Sequence, residues 1–182
     1  MEGMILIWND VIIRMWAQNG GVTPFDDALV NPASIDLRLG NQIRVPQLKW
    51  TIGTDLPIGR NTPANVLWTE AEEFDRFVLK PGRFVLCHSL EYTTLPETAS
   101  AQLISKSSTG RIGLEHLHSG WGDPGFNGQW TWEFHNSAPW PIELVAGEPY
   151  MQLVIMSMAA KPDRSYRVTG RYNGQTGATP HR

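Results

Sequence analysis

The chain has 182 residues, 41% of them hydrophobic and 18% charged, with a formal net charge of −3. That length suits one domain able to bury a sizeable core, and the acidic balance excludes a broad phosphate-backbone binder, so no nucleic-acid partner is expected. One cysteine, Cys87, rules out an internal disulfide and fits a cytoplasmic compartment, while the apolar run at 4–7 is too short for a signal sequence or a membrane span.

In chain order, Asn9-Asp10 caps a short helix over 11–20 that stops at Gly20, with Val11, Ile12, Met15 and Trp16 as its core face. Residues 23–32 read as loop. Residues 34–39 alternate Ile35, Leu37 and Leu39 with Ser34, Asp36 and Arg38, the period of a strand with one wet face. Residues 46–65 are rich in turn formers and read as a loop or a peripheral hairpin. Residues 77–79, 80–83 and 84–87 read as strand, turn and strand, with 92–96 closing that hairpin and Cys87 as a buried small hydrophobe. Residues 101–104, 142–145 and 151–156 are further strands separated by Pro/Gly turns. From Lys161 the apolar character fades, and 161–182 is expected to be a flexible tail that closes over a ligand. Short strands with one helix predict a mainly β barrel or sandwich in a single domain over 1–182.

The chemistry concentrates between residues 105 and 133. Ser105-Lys106-Ser107-Ser108-Thr109-Gly110-Arg111 sets hydroxyls beside two cations, the donor set a polyphosphate needs. Gly120-Trp121-Gly122-Asp123-Pro124-Gly125-Phe126-Asn127-Gly128 is a glycine-punctuated turn carrying one acid. Gln129-Trp130-Thr131-Trp132-Glu133-Phe134 alternates like a half-buried strand and places Glu133 in phase with Gln129 and Thr131. No histidine has Glu two residues on and no Cys pair exists, so a zinc-dependent nucleobase deaminase is excluded. His116 and His118 flank Leu117 and could share a face, but without a third ligand they predict no metal centre.

These segments, together with Pro32-Ala33-Ser34-Ile35-Asp36-Leu37-Arg38-Leu39-Gly40-Asn41, Leu79-Lys80-Pro81-Gly82, Leu95-Pro96 and Arg171-Tyr172-Asn173-Gly174-Gln175-Thr176-Gly177, resemble the dCTP deaminase family, relatives of the trimeric dUTPases. The motifs stand in the family's order and span nearly the whole chain. The resemblance implies a distorted dUTPase-like barrel or sandwich, a homotrimer with sites between subunits, and zinc-independent deamination of dCTP to dUTP and ammonia, with Mg²⁺ carried on the triphosphate. The rival readings are a dUTPase or bifunctional enzyme forming dUMP and pyrophosphate, and a silent nucleotide-binding module.

Hydrolytic deamination needs a group that takes a proton from water and returns it to the leaving nitrogen. Glu133, flanked by Trp130, Trp132 and Phe134, suits that role by its own neighbours, and the resemblance assigns it there. By resemblance, Ser107 and Arg111 assist the water and bind phosphate, Lys106 and Ser108 hold phosphates, and Asp123 sits under the sugar 3′-hydroxyl or activates water at the α-phosphate. Phe126 stacks behind the sugar or is ordinary core. Thr131 and Trp132 offer backbone groups to the base edge, with Trp132 equally readable as core. Gln152, Tyr166, Arg171 and Gln175 complete the implied nucleotide-binding set. Asp36 and Arg38 are read as structural or interfacial. Two departures stand out: Lys106 occupies a position where arginine is common, and the Arg111–Asp123 interval is one residue short, with Ser119 and Gly122 replacing an alanine and a bulky aliphatic.

Overall fold

The structure, a computed structural model, describes residues 6–47, 59 and 61–181. Two antiparallel sheets hold the core. One orders β1 (Val22–Thr23), β7 (Phe84–Thr94), β11 (Asn127–Asn136) and β9 (Leu114–His116) as β1-β7-β11-β9. The other contains β2 (Val30–Asn31), β3 (Ser34–Arg38), β8 (Ala99–Ser105), β10 (Trp121–Gly122) and β13 (Pro149–Ser157), in the order β10-β8-β13-β3-β2. Their inner faces meet through Trp132, Phe134, Leu103, Met151, Leu153 and Ile35, all buried in one hydrophobic cluster. The result is a sandwich of two sheets and not one closed barrel.

Periodicity explains most of this. Along β11 even-numbered residues are buried and odd-numbered ones half-buried, so the wet face carries Asn127, Gln129, Thr131, Glu133 and His135. In β3 even the expected wet face is largely covered, because Asp36 is buried beside Ser34.

Several expectations are corrected. The regular helix, α1, covers Asp10–Trp16 and is capped by the Asn9 side chain on the Ile12 N–H at 3.1 Å. Its inward residues are Ile13 and, one turn on, Ala17; Val11, Ile12 and Met15 are exposed. The local hairpin at 77–87 does not form. Instead β6 (Arg76–Leu79) pairs with β12 (Ile142–Val145), and β7 continues for eleven residues to pair with β1 and β11. Adjacent strands in sequence were the simplest pairing to expect, but the long-range register lets Leu79, Ile142 and Leu144 join the core. The stretch expected as loop at 23–32 contains β2 and a 3₁₀ turn, Asp27–Leu29. Of the stretch at 46–65, residues 48–58 and 60 lie outside the described residues; a short helix, α2 (Ala64–Leu67), follows.

The C-terminal segment folds back onto the sandwich. After α4 (Tyr166–Thr169) it reaches Gln175, which forms a parallel bridge to Gly128 beside β11. Among the described residues no helix is long and apolar enough to cross a membrane.

Candidate active site

Glu133 owes its setting to the neighbours of β11. Opposite Gln129 and Thr131 the register slips: Gln129 faces Tyr92 whereas Thr131 faces His88, so β7 bulges. The Ser89 hydroxyl fills the bulge, accepting from the Trp130 N–H at 2.8 Å and donating to the Glu91 carbonyl at 2.6 Å. Trp130 thus turns its backbone toward β7, and so, two residues on, does Trp132. Residues 129, 131 and 133 turn theirs to the opposite edge. There Gln129 N–H donates to Gln175 O at 2.9 Å, and Leu117 N–H donates to Glu133 O at 3.1 Å. The peptide groups of Thr131 face the gap between these two contacts.

That gap opens into a cleft of about 460 Å³ lined by Glu133, Thr131, Trp130 and Phe126, with Trp121 and Leu86 beside them. The Glu133 side chain keeps 24% exposure. Its Oε2 is buried 3.2 Å from His116 Nε2, yet the two are out of hydrogen-bond line, and each lacks another partner among the described residues. The Thr131 hydroxyl is likewise buried without a partner. Orphaned polar atoms in a walled cleft cost stability unless a ligand meets them.

The walls are aromatic. Phe126 packs tilted against Trp130 at 4.6 Å between centroids, and Tyr166 approaches Phe126 at 6.2 Å. The Trp130 indole donates to the Thr93 hydroxyl at 2.9 Å, and its outer edge occupies the space a side chain on Gly122 would need. The missing bulk at Gly122 and the large ring at Trp130 therefore compensate each other. Asp123 is exposed; its carboxylate accepts the Trp121 indole N–H at 3.1 Å, and its carbonyl accepts Phe126 N–H at 3.0 Å. That turn depends on Gly125, whose φ is 88° and whose absent Cβ would lie 2.7 Å from Ser165 Oγ.

The C-terminal segment closes one side. Gln175 Nε2 donates to Gln129 O at 2.8 Å, Gly177 N–H donates to Gln129 Oε1 at 2.7 Å, and Gly174 N–H donates to Asn127 O at 2.6 Å. Gln175 is buried, its amide N–H spent on β11. Tyr166 and Tyr172 line the cleft, whereas Arg171 is exposed and is not among the residues lining it.

The cationic segment lies elsewhere. Residues 107–111 form one helical turn, α3 (Ser107–Arg111), pinned by the Thr109 hydroxyl on Tyr150 O at 2.8 Å and by Lys106 N–H on the same carbonyl at 3.0 Å. Ser107, Ser108 and Arg111 are exposed there and line no part of the Glu133 cleft. Lys106 forms an ion pair with buried Asp36, which also accepts from Asn31 at 2.8 Å; next to them Ser34 donates to Gln152 Oε1 at 3.0 Å. Asp36 thus ties β3 to the entry of α3.

Of the anticipated residues, Glu133, Thr131, Phe126, Tyr166 and Gln175 meet in one cleft. Ser107, Ser108 and Arg111 form a separate ledge, with Lys106 and Gln152 in the polar cluster behind it. Trp132 is fully buried, its side chain in the core and its backbone turned toward β7, so Thr131 alone of that pair presents peptide groups to the cleft. Sequence reasoning passed over Trp121, Tyr172 and His181, which also line the cleft. It weighed His116 only with His118; the structure separates them, His116 being buried and His118 exposed at φ 62°. Burial drives the Cys87 thiol pKa far up, which leaves it inert.

Residues 7–158 match the family model described as dCTP deaminase-like. A Mycobacterium avium (strain 104) protein named "dCTP deaminase, dUMP-forming" is 39% identical over 183 residues, covering 98% of this chain and 95% of that one. A protein of the same name from Sulfurihydrogenibium sp. (strain YO3AOP1) is 37% identical over 180 residues, covering 97% of each. The crystal structure of 2′-deoxycytidine 5′-triphosphate deaminase from Agrobacterium tumefaciens shares the fold, with a TM-score of 0.66 at 24% identity, over 84% of this chain and 48% of that one. The present chain therefore spans about half the length of that solved relative. With the family model covering most of the sandwich and both curated relatives aligned end to end, the chain belongs to the dCTP deaminase-like family.

Proposed function

We propose that the chain is a hydrolase that deaminates dCTP and carries the product on to dUMP and pyrophosphate. The observation that carries this reading is Glu133: a half-buried carboxylate on a rigid strand, facing an aromatic cleft beside the orphaned Thr131 hydroxyl. The cytosine edge meets the Thr131 peptide groups. Water adds to C4 as Glu133 takes its proton; Glu133 returns a proton to the amino nitrogen, the C4–N bond breaks and ammonia leaves. Phe126 and Tyr166 flank the sugar, and Asp123, freed from Trp121, directs a second water to the α-phosphorus, releasing pyrophosphate. Mg²⁺ enters as part of the substrate, on the triphosphate.

The names of the relatives favour dUMP over dUTP as the end product. The phosphate half of the site comes from α3 of another copy, because Ser107, Ser108 and Arg111 sit away from the cleft. Exposed Ile112 and Leu117, which flank β9, and Trp140, whose indole N–H reaches Ile112 O, give such a copy an apolar surface to dock on, consistent with a homotrimer.

The test is a product assay with Mg·dCTP and, in parallel, Mg·dUTP. Ammonia with dUMP and pyrophosphate from dCTP supports the proposal; accumulation of dUTP would reduce it to deamination alone. Asp123→Asn should abolish pyrophosphate release and retain ammonia release, and unchanged pyrophosphate release would remove Asp123 from the phosphate step.

A further inference from the structure

We propose that His116 is the positioning residue of Glu133, donating its Nε2 proton to Oε2 so that the other carboxylate oxygen is the one that trades protons with the cleft. This rests on the reading of Glu133 as proton shuttle. Three observations support it. His116 Nε2 and Glu133 Oε2 are 3.2 Å apart, both are buried, and neither has a hydrogen-bond partner among the described residues. An ionised carboxylate only accepts, so a bare Nε2 lone pair would set two acceptors face to face, whereas an Nε2–H satisfies both atoms at once. The ring is also fixed: it packs edge-on to Phe134 at 6.5 Å between centroids and belongs to β9, which pairs Phe134 directly with His116. The pair falls short of alignment as catalytic hydrogen bonds commonly do before substrate binds.

The surroundings leave this interaction to His116. On β11, His135 shares the face of Glu133 but turns to Glu115 at 3.7 Å and to the Ser137 hydroxyl at 3.0 Å. On β7 the residue opposite Glu133 is Leu86, and beyond it Arg44 donates to Ala178 O at 2.8 Å and Thr69 O at 2.7 Å, with Glu70 at 3.7 Å. Across the cleft stand Tyr166, Tyr172 and His181.

A donor on Oε2 stabilises the ionised carboxylate, and removing it withdraws that stabilisation. The experiment titrates the Glu133 carboxyl carbon by NMR in ¹³C-glutamate-labelled protein, assigned with Glu133→Gln, alongside the pH dependence of ammonia release from dCTP. His116→Leu should move the NMR midpoint and the acid limb upward by about one unit, a tenfold change in the ionisation constant. His116→Gln, which keeps an amide donor at similar reach, should restore most of that shift, and His135→Asn should leave the midpoint in place. A midpoint unmoved or lowered in His116→Leu, a His116→Gln that behaves like it, or an equal shift in His135→Asn would overturn the proposal. Should His116→Leu not fold, the ¹⁵N shifts of His116 in the unmutated protein decide the matter, since an unprotonated Nε2 contradicts it. The NMR arm needs no turnover. A protein that shows the shift and releases no ammonia keeps the His116–Glu133 pair and loses the deaminase reading.

Discussion

β11 and α3 carry their chemistry in opposite ways. On β11 the polar groups are few, partly buried and aimed into one cleft, with no hydrogen bond formed to Oε2 of Glu133 or to the Thr131 hydroxyl among the described residues. On α3 the Ser107 and Ser108 side chains and the Arg111 guanidinium stand in the open, and the one cation nearest the sheet, Lys106, is already paired with Asp36. Desolvated groups on a strand are preorganised and strengthened by their surroundings; exposed groups on a single helical turn are screened by water and worth little until a surface covers them. On the proposed reading, one chain holds a nearly finished proton-transfer half and an unfinished anion-binding half. The incompleteness of the second, more than any feature of the first, argues for assembly.

The comparison breaks most sharply at Glu133. Glu133→Gln should lower ammonia release by ~10²–10⁴-fold with dCTP binding retained, the loss expected for a general acid–base group. Arg111→Ala should cost ~10²–10³-fold by removing charge stabilisation. If the two halves meet only between copies, mixing the two inactive variants and letting them exchange subunits should recover activity. Two variants that stay dead together would place both halves on one chain and overturn the reading of α3 as a donated surface. A smaller effect is expected at Gln129, whose side chain bonds Leu90 O at 3.0 Å and Gly177 N–H at 2.7 Å. Gln129→Ala loses two contacts worth about 1 kcal/mol each; the C-terminal segment should become more sensitive to protease and KM for dCTP should rise several-fold, with kcat changed less.

What the sequence disclosed follows the same divide. Glu133 and Thr131 were legible because a two-residue period fixes which face of a strand is wet, and β11 keeps that period from end to end. The register was not: nothing local announces that Arg76–Leu79 pairs with Ile142–Val145 in place of the neighbouring β7. His116 escaped because its partner is a cross-strand neighbour, seventeen positions away in the chain. The Gly122–Trp130 compensation was half visible, as an absent side chain whose space only the fold shows to be filled. On α1 the apolar residues point several ways, so composition alone did not reveal that Ile13 and Ala17, and not Val11 or Met15, meet the core.

The mildest test uses pH to loosen one half and leave the other. His88 stands opposite Thr131; its Nδ1 meets Ser89 O at 2.8 Å and its Nε2 accepts Gln42 N–H at 3.2 Å. Burial lowers its pKa below the ordinary 6.5, with the Ser89 carbonyl opposing the shift. Below 6.5 and down to the folded value the unfolded chain binds more protons than the fold, so the stability from a neutral His88 is present above 6.5 and is lost as pH falls through the folded pKa. Protonation of Nε2 also ejects the Gln42 N–H from its acceptor. Thermal melts should therefore drop by a few degrees on acidification through this window, and His88→Gln, which has no charge to gain, should flatten the slope. Hydrogen-exchange protection, corrected for the pH dependence of the intrinsic rate, should fall first at residues 40–42 and 128–133 and stay unchanged at 107–111. An equal loss of protection in α3 would mean that the two halves are one cooperative unit and that their contrast is of exposure alone.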